Sequence, residues 1–115
     1  MHAINFSLPE CYSSLINRSK LCTIRHGDKT GQYTEGEIVS VLFGGIYTNR
    51  TKLYTAFIDQ VLVKPLSLLT NRDINGENLN LNTVDEFIVW YNESFGKIIN
   101  PSDLVTVIYF SEIIE

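Results

Sequence analysis

Lys20-Leu21-Cys22-Thr23-Ile24-Arg25 sets a cation, a hydroxyl and a second cation within six residues, directly after a short segment of helical character. Its side chains alternate in the manner of a strand, and the Gly27-Asp28 turn with the loop through Thr30-Gly31 ends it. Parity constrains what this strand can do. Lys20 and Thr23 are an odd number of residues apart, so on a regular strand they point to opposite faces, whereas Thr23 and Arg25 share one. For Lys20 and Thr23 to meet in one pocket, Lys20 must precede the regular strand or a bulge must intervene. The first arrangement is expected.

The same stretch concentrates charge. Arg18, Lys20, Arg25 and Lys29 fall between positions 18 and 29 against one acid, Asp28, a window of +3 on a chain whose net charge is −4. The remaining chain is therefore −7. A positive spot on an acidic protein fits a compact polar or anionic ligand. It does not fit the broad basic face that a nucleic-acid duplex needs.

Outward from this strand, 115 residues with 44% hydrophobic and 19% charged content describe one folded domain spanning 1–115. No apolar run reaches the ~20 residues of a membrane span. Two cysteines, Cys11 and Cys22, make no disulfide framework, and the N-terminus lacks the pattern of a secretory signal, so a reducing cytoplasm is expected. Residues 3–7 read as a strand, and Pro9 opens a helix with Cys11, Leu15 and Ile16 as its apolar stripe. Glu37 to Phe43 and Leu53 to Val63 read as strands, the second ended by Pro65. Ser67 to Asp73 gives one or two helical turns, and Ile74 to Asn82 an Asn-rich loop carrying Glu77. Thr83-Val84-Asp85-Glu86 is a capping box opening a helix with Phe87, Ile88, Trp90, Tyr91 and Phe95 on its apolar face and Gly96 at its end. Leu104 to Phe110 is the closing strand, buried on both faces.

Lys20-x-x-Thr23-x-Arg25 followed by Gly27-Asp28 resembles the ASCH domain family, and the order of elements resembles it over most of the chain. That resemblance implies an α+β fold: a small PUA-like β-barrel of about five to six strands with two to three flanking helices. Leu69-Thr70 and Glu77-Asn78-Leu79 resemble the YqfB-type members, which are amidohydrolases removing the acetyl group from N4-acetylcytidine. Carried over by position, the catalytic lysine, threonine and glutamate fall on Lys20, Thr23 and Glu77; Arg25 and His26, next along the chain, are the candidate substrate-binding residues. The partner implied is a small-molecule nucleoside, with no cofactor and no metal. Arg18 stands where the family has glycine, and Leu21 where several members have threonine.

Amide hydrolysis needs a nucleophile, a base and an oxyanion stabiliser. Thr23 as nucleophile with Lys20 as base satisfies the first two needs. Alternatively, Thr23 positions a water and Lys20 stays charged. Burial and Arg25 would lower the Lys20 pKa, and Glu77 would raise it. Arg25 reads equally as a ligand contact or as an ion pair with Glu37 or Asp28. His26 reads as a loop residue. Trp90, Tyr91 and Phe95 read as core, and Tyr33, Tyr47 and Tyr54 as surface or rim. The two histidines and two cysteines lack zinc-site spacing. The rival function is a non-catalytic RNA-binding PUA-like module. A ribonuclease comes last, because no carboxylate set suited to a metal pair stands out.

Overall fold

Alternation in the strand segments builds one five-stranded sheet that curls into a half-barrel. The computed structural model describes residues 2–45 and 47–114. The strands are β1 (Ala3–Phe6), β2 (Cys22–His26), β3 (Ile38–Phe43), β4 (Thr51–Pro65) and β5 (Leu104–Glu112), in the spatial order β1-β3-β4-β5-β2. Only the β1–β3 pair is parallel. The curl leaves β1 and β2 as two free edges, and Arg25 on β2 reaches the Asn5 carbonyl of β1 at 2.9 Å across the gap.

The long strand β4 serves both halves. Its register with β5 shifts between Ile58 and Gln60, and one extra residue in a strand turns the following side chains to the other face. Tyr54, Ala56 and Ile58 precede the shift and pack with Val61, beyond it, in the core inside the curl, while Leu62 joins a second core on the outer face. β5 is divided the same way: Ile108 and Phe110 face inward, and Val105, Val107 and Tyr109 outward. The expected burial of this strand on both faces is observed over Val105–Phe110.

Three helices flank the sheet: α1 (Tyr12–Ile16), α2 (Asn71–Glu77) and α3 (Val84–Phe95). A 3-10 turn at Pro9–Cys11 leads into α1, and the helix is so short that its stripe narrows to Leu15; Ile16 is left 46% exposed. A second such turn, Leu66–Leu68, precedes α2. The expected loop from Ile74 is corrected here, because helix α2 runs to Glu77. Thr70 and Asp73 form a reciprocal capping box that starts α2, with aspartate where the usual pattern has glutamate or glutamine. α3 follows the sequence closely, with the Thr83–Glu86 capping box and Gly96 in the left-handed conformation at its end. Phe87 and Tyr91 are its buried residues. Tyr33 and Tyr54, read from sequence as rim residues, are core residues, and only Tyr47 is exposed. Among the described residues no helix is long and apolar enough to cross a membrane.

Asp73 ties α2 to the sheet. Its carboxylate accepts from the Lys64 ammonium at 2.7 Å, the Tyr109 hydroxyl at 2.5 Å and the Thr70 amide at 3.0 Å. Burial pushes this carboxyl upward, but those donors outweigh burial and hold it below the usual carboxylate range. One turn on, Gly76 brings the helix backbone onto β2: the Leu21 amide donates to its carbonyl at 3.0 Å. A Cβ at Gly76 would lie 2.9 Å from Cys22 Sγ, and Cys22 is fully buried. Gly76→Ala should therefore destabilise the protein by about 1–3 kcal/mol, despite alanine's better helix propensity. Denaturant unfolding checks this, and Cys22→Ala should recover part of the loss in the double variant.

Candidate functional site

The gap between the free edges of β1 and β2 opens into a cavity of about 630 Å³, walled also by α1, the α2–α3 connection and one side of α3. Such a volume is in the range of small-molecule sites. Lys20, Thr23, Arg25, His26 and Glu77 all line it.

Lys20 lies two residues before β2, as expected from strand parity over the alternative of a bulge, with its backbone amide held by the Ser14 carbonyl at 3.1 Å. Its side chain is 2% exposed. The ammonium donates to the Glu77 backbone carbonyl at 2.7 Å and to Glu77 Oε2, and sits 5.6 Å from the Phe6 ring centre. Glu77 uses its other oxygen to accept the Ile24 backbone amide at 3.1 Å. Because β2 is an edge strand, that amide points away from β5 and has no strand partner. One carboxylate thus satisfies a buried cation and an otherwise orphaned edge donor.

Thr23 is 3% exposed, and its Oγ1 accepts from Arg25 Nε at 2.9 Å. The hydroxyl proton is therefore left for another acceptor. Arg25 spends a second donor on the Asn5 carbonyl and lies over the Phe6 ring at 5.2 Å. The ion pairs considered from sequence do not form: Glu37 contacts His2, and Asp28 bonds Thr30. His26 belongs to β2 rather than to a loop, and its Nε2 lies 3.2 Å from Asp103 Oδ2.

Burial is the main influence on the Lys20 amine and pulls it down to about 8; the Cys11 and Cys22 thiols oppose this and Arg25 adds to it. Contact with the Glu77 carboxylate favours the charged form, so the proton is held between two opposed demands. Burial likewise lowers Arg25 and raises the Cys11 thiol on the same wall.

The +3 window of the sequence is largely neutralised in space. Arg18 pairs with Glu112 at 3.0 Å, and Lys20 pairs with Glu77. Arg18 has φ 65°, a left-handed conformation that glycine adopts freely and other residues at a cost of about 1–3 kcal/mol. Its guanidinium offsets that cost by donating to the Leu15 and Ile16 carbonyls and by lying 3.9 Å from the Tyr54 ring centre, turned away from the cavity.

Trp90 and Phe95, read from sequence as core, line the cavity, and Trp90 Nε1 donates to Glu10 Oε1 at 3.1 Å. Asn78 and Leu79, part of the stretch that carried the resemblance, also form its walls, as does Asn5, which carried no sequence signal of its own. Among the described residues no group of three or more His, Cys, Asp or Glu converges in a way that suits a metal ion.

No protein-family model matches the chain, and no curated protein matches it. Two solved structures share its fold. The crystal structure of hypothetical protein PH0355 superposes with TM-score 0.63 at 18% identity, covering 95% of this chain and 97% of that one. The crystal structure of EF3133 from Enterococcus faecalis V583, labelled DUF984, superposes with TM-score 0.68 at 12% identity, covering 98% of this chain and 81% of that one. At these identities the likeness is one of fold.

Removing one member of a buried ion pair strands the other. Glu77→Ala should cost about 3–5 kcal/mol in chemical unfolding, since it leaves the Lys20 ammonium without a counter-ion, held only by the residue 77 carbonyl, and the Ile24 amide unpaired. Glu77→Gln should cost less, because its carbonyl oxygen still accepts one of those donors.

Proposed function

We propose that this chain is an amidohydrolase that removes the acyl group from N4-acetylcytidine or a related acylated pyrimidine nucleoside, on a PUA-like barrel of the ASCH type. The observation that carries this reading is the buried Lys20–Glu77 pair on the wall that also holds Thr23, beside a cavity large enough for a nucleoside. Two solvent-excluded charges are costly to keep for stability alone. A lysine whose pKa is drawn toward neutrality is suited to general-base work.

In this mechanism Thr23 Oγ attacks the acetyl carbonyl carbon, and its proton passes to the neutral Lys20 amine. Arg25 Nε, which already donates to Thr23 Oγ1, stabilises negative charge developing on that oxygen and orients its lone pairs. Collapse of the tetrahedral adduct breaks the carbon–nitrogen bond, and Lys20 returns the proton to the departing exocyclic nitrogen. Water, deprotonated in turn by Lys20, hydrolyses the acyl-threonine. Glu77 holds the lysine in place and sustains its charged form between the two proton transfers. Arg25 shares its side of β2 with Thr23, and His26, next to it and held by Asp103, lines the cavity from the end of the strand.

The RNA-binding alternative draws on the local basic window, and that window is weakened by the Arg18–Glu112 and Lys20–Glu77 pairs. Few cations remain for a phosphate backbone, whose contacts dominate sequence-independent RNA affinity.

Conversion of N4-acetylcytidine to cytidine, followed by ultraviolet absorbance, tests the proposal. The wild-type chain should turn over, and Lys20→Ala and Thr23→Ala should each lower kcat by about 10²–10⁴-fold. With Lys20 as a neutral base, kcat/KM should rise with pH and level off above about 8. A rate that falls across that range requires the ammonium instead. Absence of turnover by the wild type overturns the proposal, as does full activity in Lys20→Ala.

A further inference from the structure

Two cations in the cavity have no partner in the site just described. Lys29, in the loop after β2, and Lys97, just past the end of α3, both line the cavity, although they lie far apart in sequence. The other basic groups nearby are committed. Arg18 pairs with Glu112, Lys20 with Glu77 and Lys64 with Asp73, Arg25 bonds Thr23 and Asn5, and Arg72 lies 4.3 Å from the Tyr109 ring centre. The acid next in sequence to Lys29 is occupied as well, since Asp28 accepts from the amide and hydroxyl of Thr30. Glu10, the cavity's second acid besides Glu77, is engaged by Trp90 and Ser94. No ion pair to Lys29 or Lys97 is formed among the described residues.

We infer that Lys29 and Lys97 form a phosphate subsite, and that the preferred ligand is a pyrimidine 5′-monophosphate rather than the bare nucleoside. This rests on the pyrimidine reading of the cavity and extends it. Two ammonium-bearing residues that line one cavity and form no ion pair outweigh the single Glu10 carboxylate on its wall, which favours an anion there, and a cleft of low dielectric strengthens that preference. A phosphate monoester offers three acceptor oxygens to two ammonium groups. The count of free cations on the cavity wall is also small, since Arg50 and Lys52, likewise without an ion pair among the described residues, do not line it. Two lysines suit one terminal phosphate better than the length of a strand, which on a chain of net charge −4 argues for a mononucleotide over RNA.

Calorimetric titration of the intact protein with cytidine, with cytidine 5′-monophosphate and with a short single-stranded cytidine oligonucleotide tests this without any need for turnover. The monophosphate should bind about tenfold more tightly than cytidine. That preference should shrink several-fold in Lys29→Met and in Lys97→Met, and also at high salt. Equal affinity for cytidine and its monophosphate overturns the inference. So does a preference that survives both substitutions. An oligonucleotide that binds more tightly than the monophosphate, with a steep salt dependence, overturns it in favour of a strand. The hydrolase reading fails separately: lysine-dependent monophosphate binding without release of acetate leaves the subsite standing, and acetate released equally from nucleoside and nucleotide leaves only the hydrolase.

Discussion

The free edge of β2 is where fold and chemistry meet. A curled sheet that stops short of closure exposes a row of backbone donors, and buried donors must be satisfied. Here the end of α2 does so, with the Gly76 carbonyl taking the Leu21 amide and the Glu77 carboxylate taking the Ile24 amide. Placing a carboxylate at a buried edge then demands a cation, and Lys20 supplies it from the residues just before the strand. The ion pair is thus a consequence of leaving the half-barrel open. The same opening creates the cavity.

Several features converge on seating α2 at that edge. The Thr70–Asp73 capping box starts the helix, and Asp73 is anchored by Lys64 and Tyr109 from the sheet. Gly76 allows the close approach to Cys22. On the opposite side Arg25 spans from Thr23 to the Asn5 carbonyl, fixing the distance between the two free edges and the orientation of the threonine hydroxyl at once. Each of these groups is locked by a partner other than Lys20, Thr23 and Glu77, which is the preorganisation that the proposed catalysis requires.

Much of this was legible in the sequence, and the remainder has identifiable causes. Alternation gave β2, β-branched residues gave β3, turn residues and Pro65 bounded β4, and a near-continuous apolar run gave β5, while the Thr83–Glu86 capping box gave α3 with its Gly96 stop. Parity, once Lys20 and Thr23 are taken to share a pocket, left Lys20 before its strand or a bulge within it, and the first was expected and is observed. The end of α2 escaped because its capping box uses the shorter Asp73, and because Asn and Gly within Asn71–Glu77 are weak helix formers held by tertiary contacts. The charge window overstated the free charge for a different reason. Two of its four cations, Arg18 and Lys20, are neutralised by Glu112 and Glu77, which lie 94 and 57 residues away, and a sum along the sequence cannot register pairing in space. Trp90 and Phe95 share the spacing of core residues on α3, and only the open gap beside them turns them into cavity wall. The conjunction of Lys20, Thr23 and Glu77 came from resemblance to a family, because no local pattern relates a strand to the end of a distant helix.

The central claim is that the buried pair turns Thr23 into a nucleophile. Mass spectrometry of protein quenched in acid during turnover of N4-acetylcytidine tests it most directly. An acetyl group on the peptide carrying Thr23, absent from the Thr23→Ala variant and accumulating before steady state, is the predicted result. Rapid formation of cytidine with no acylated threonine at any quench time would contradict it.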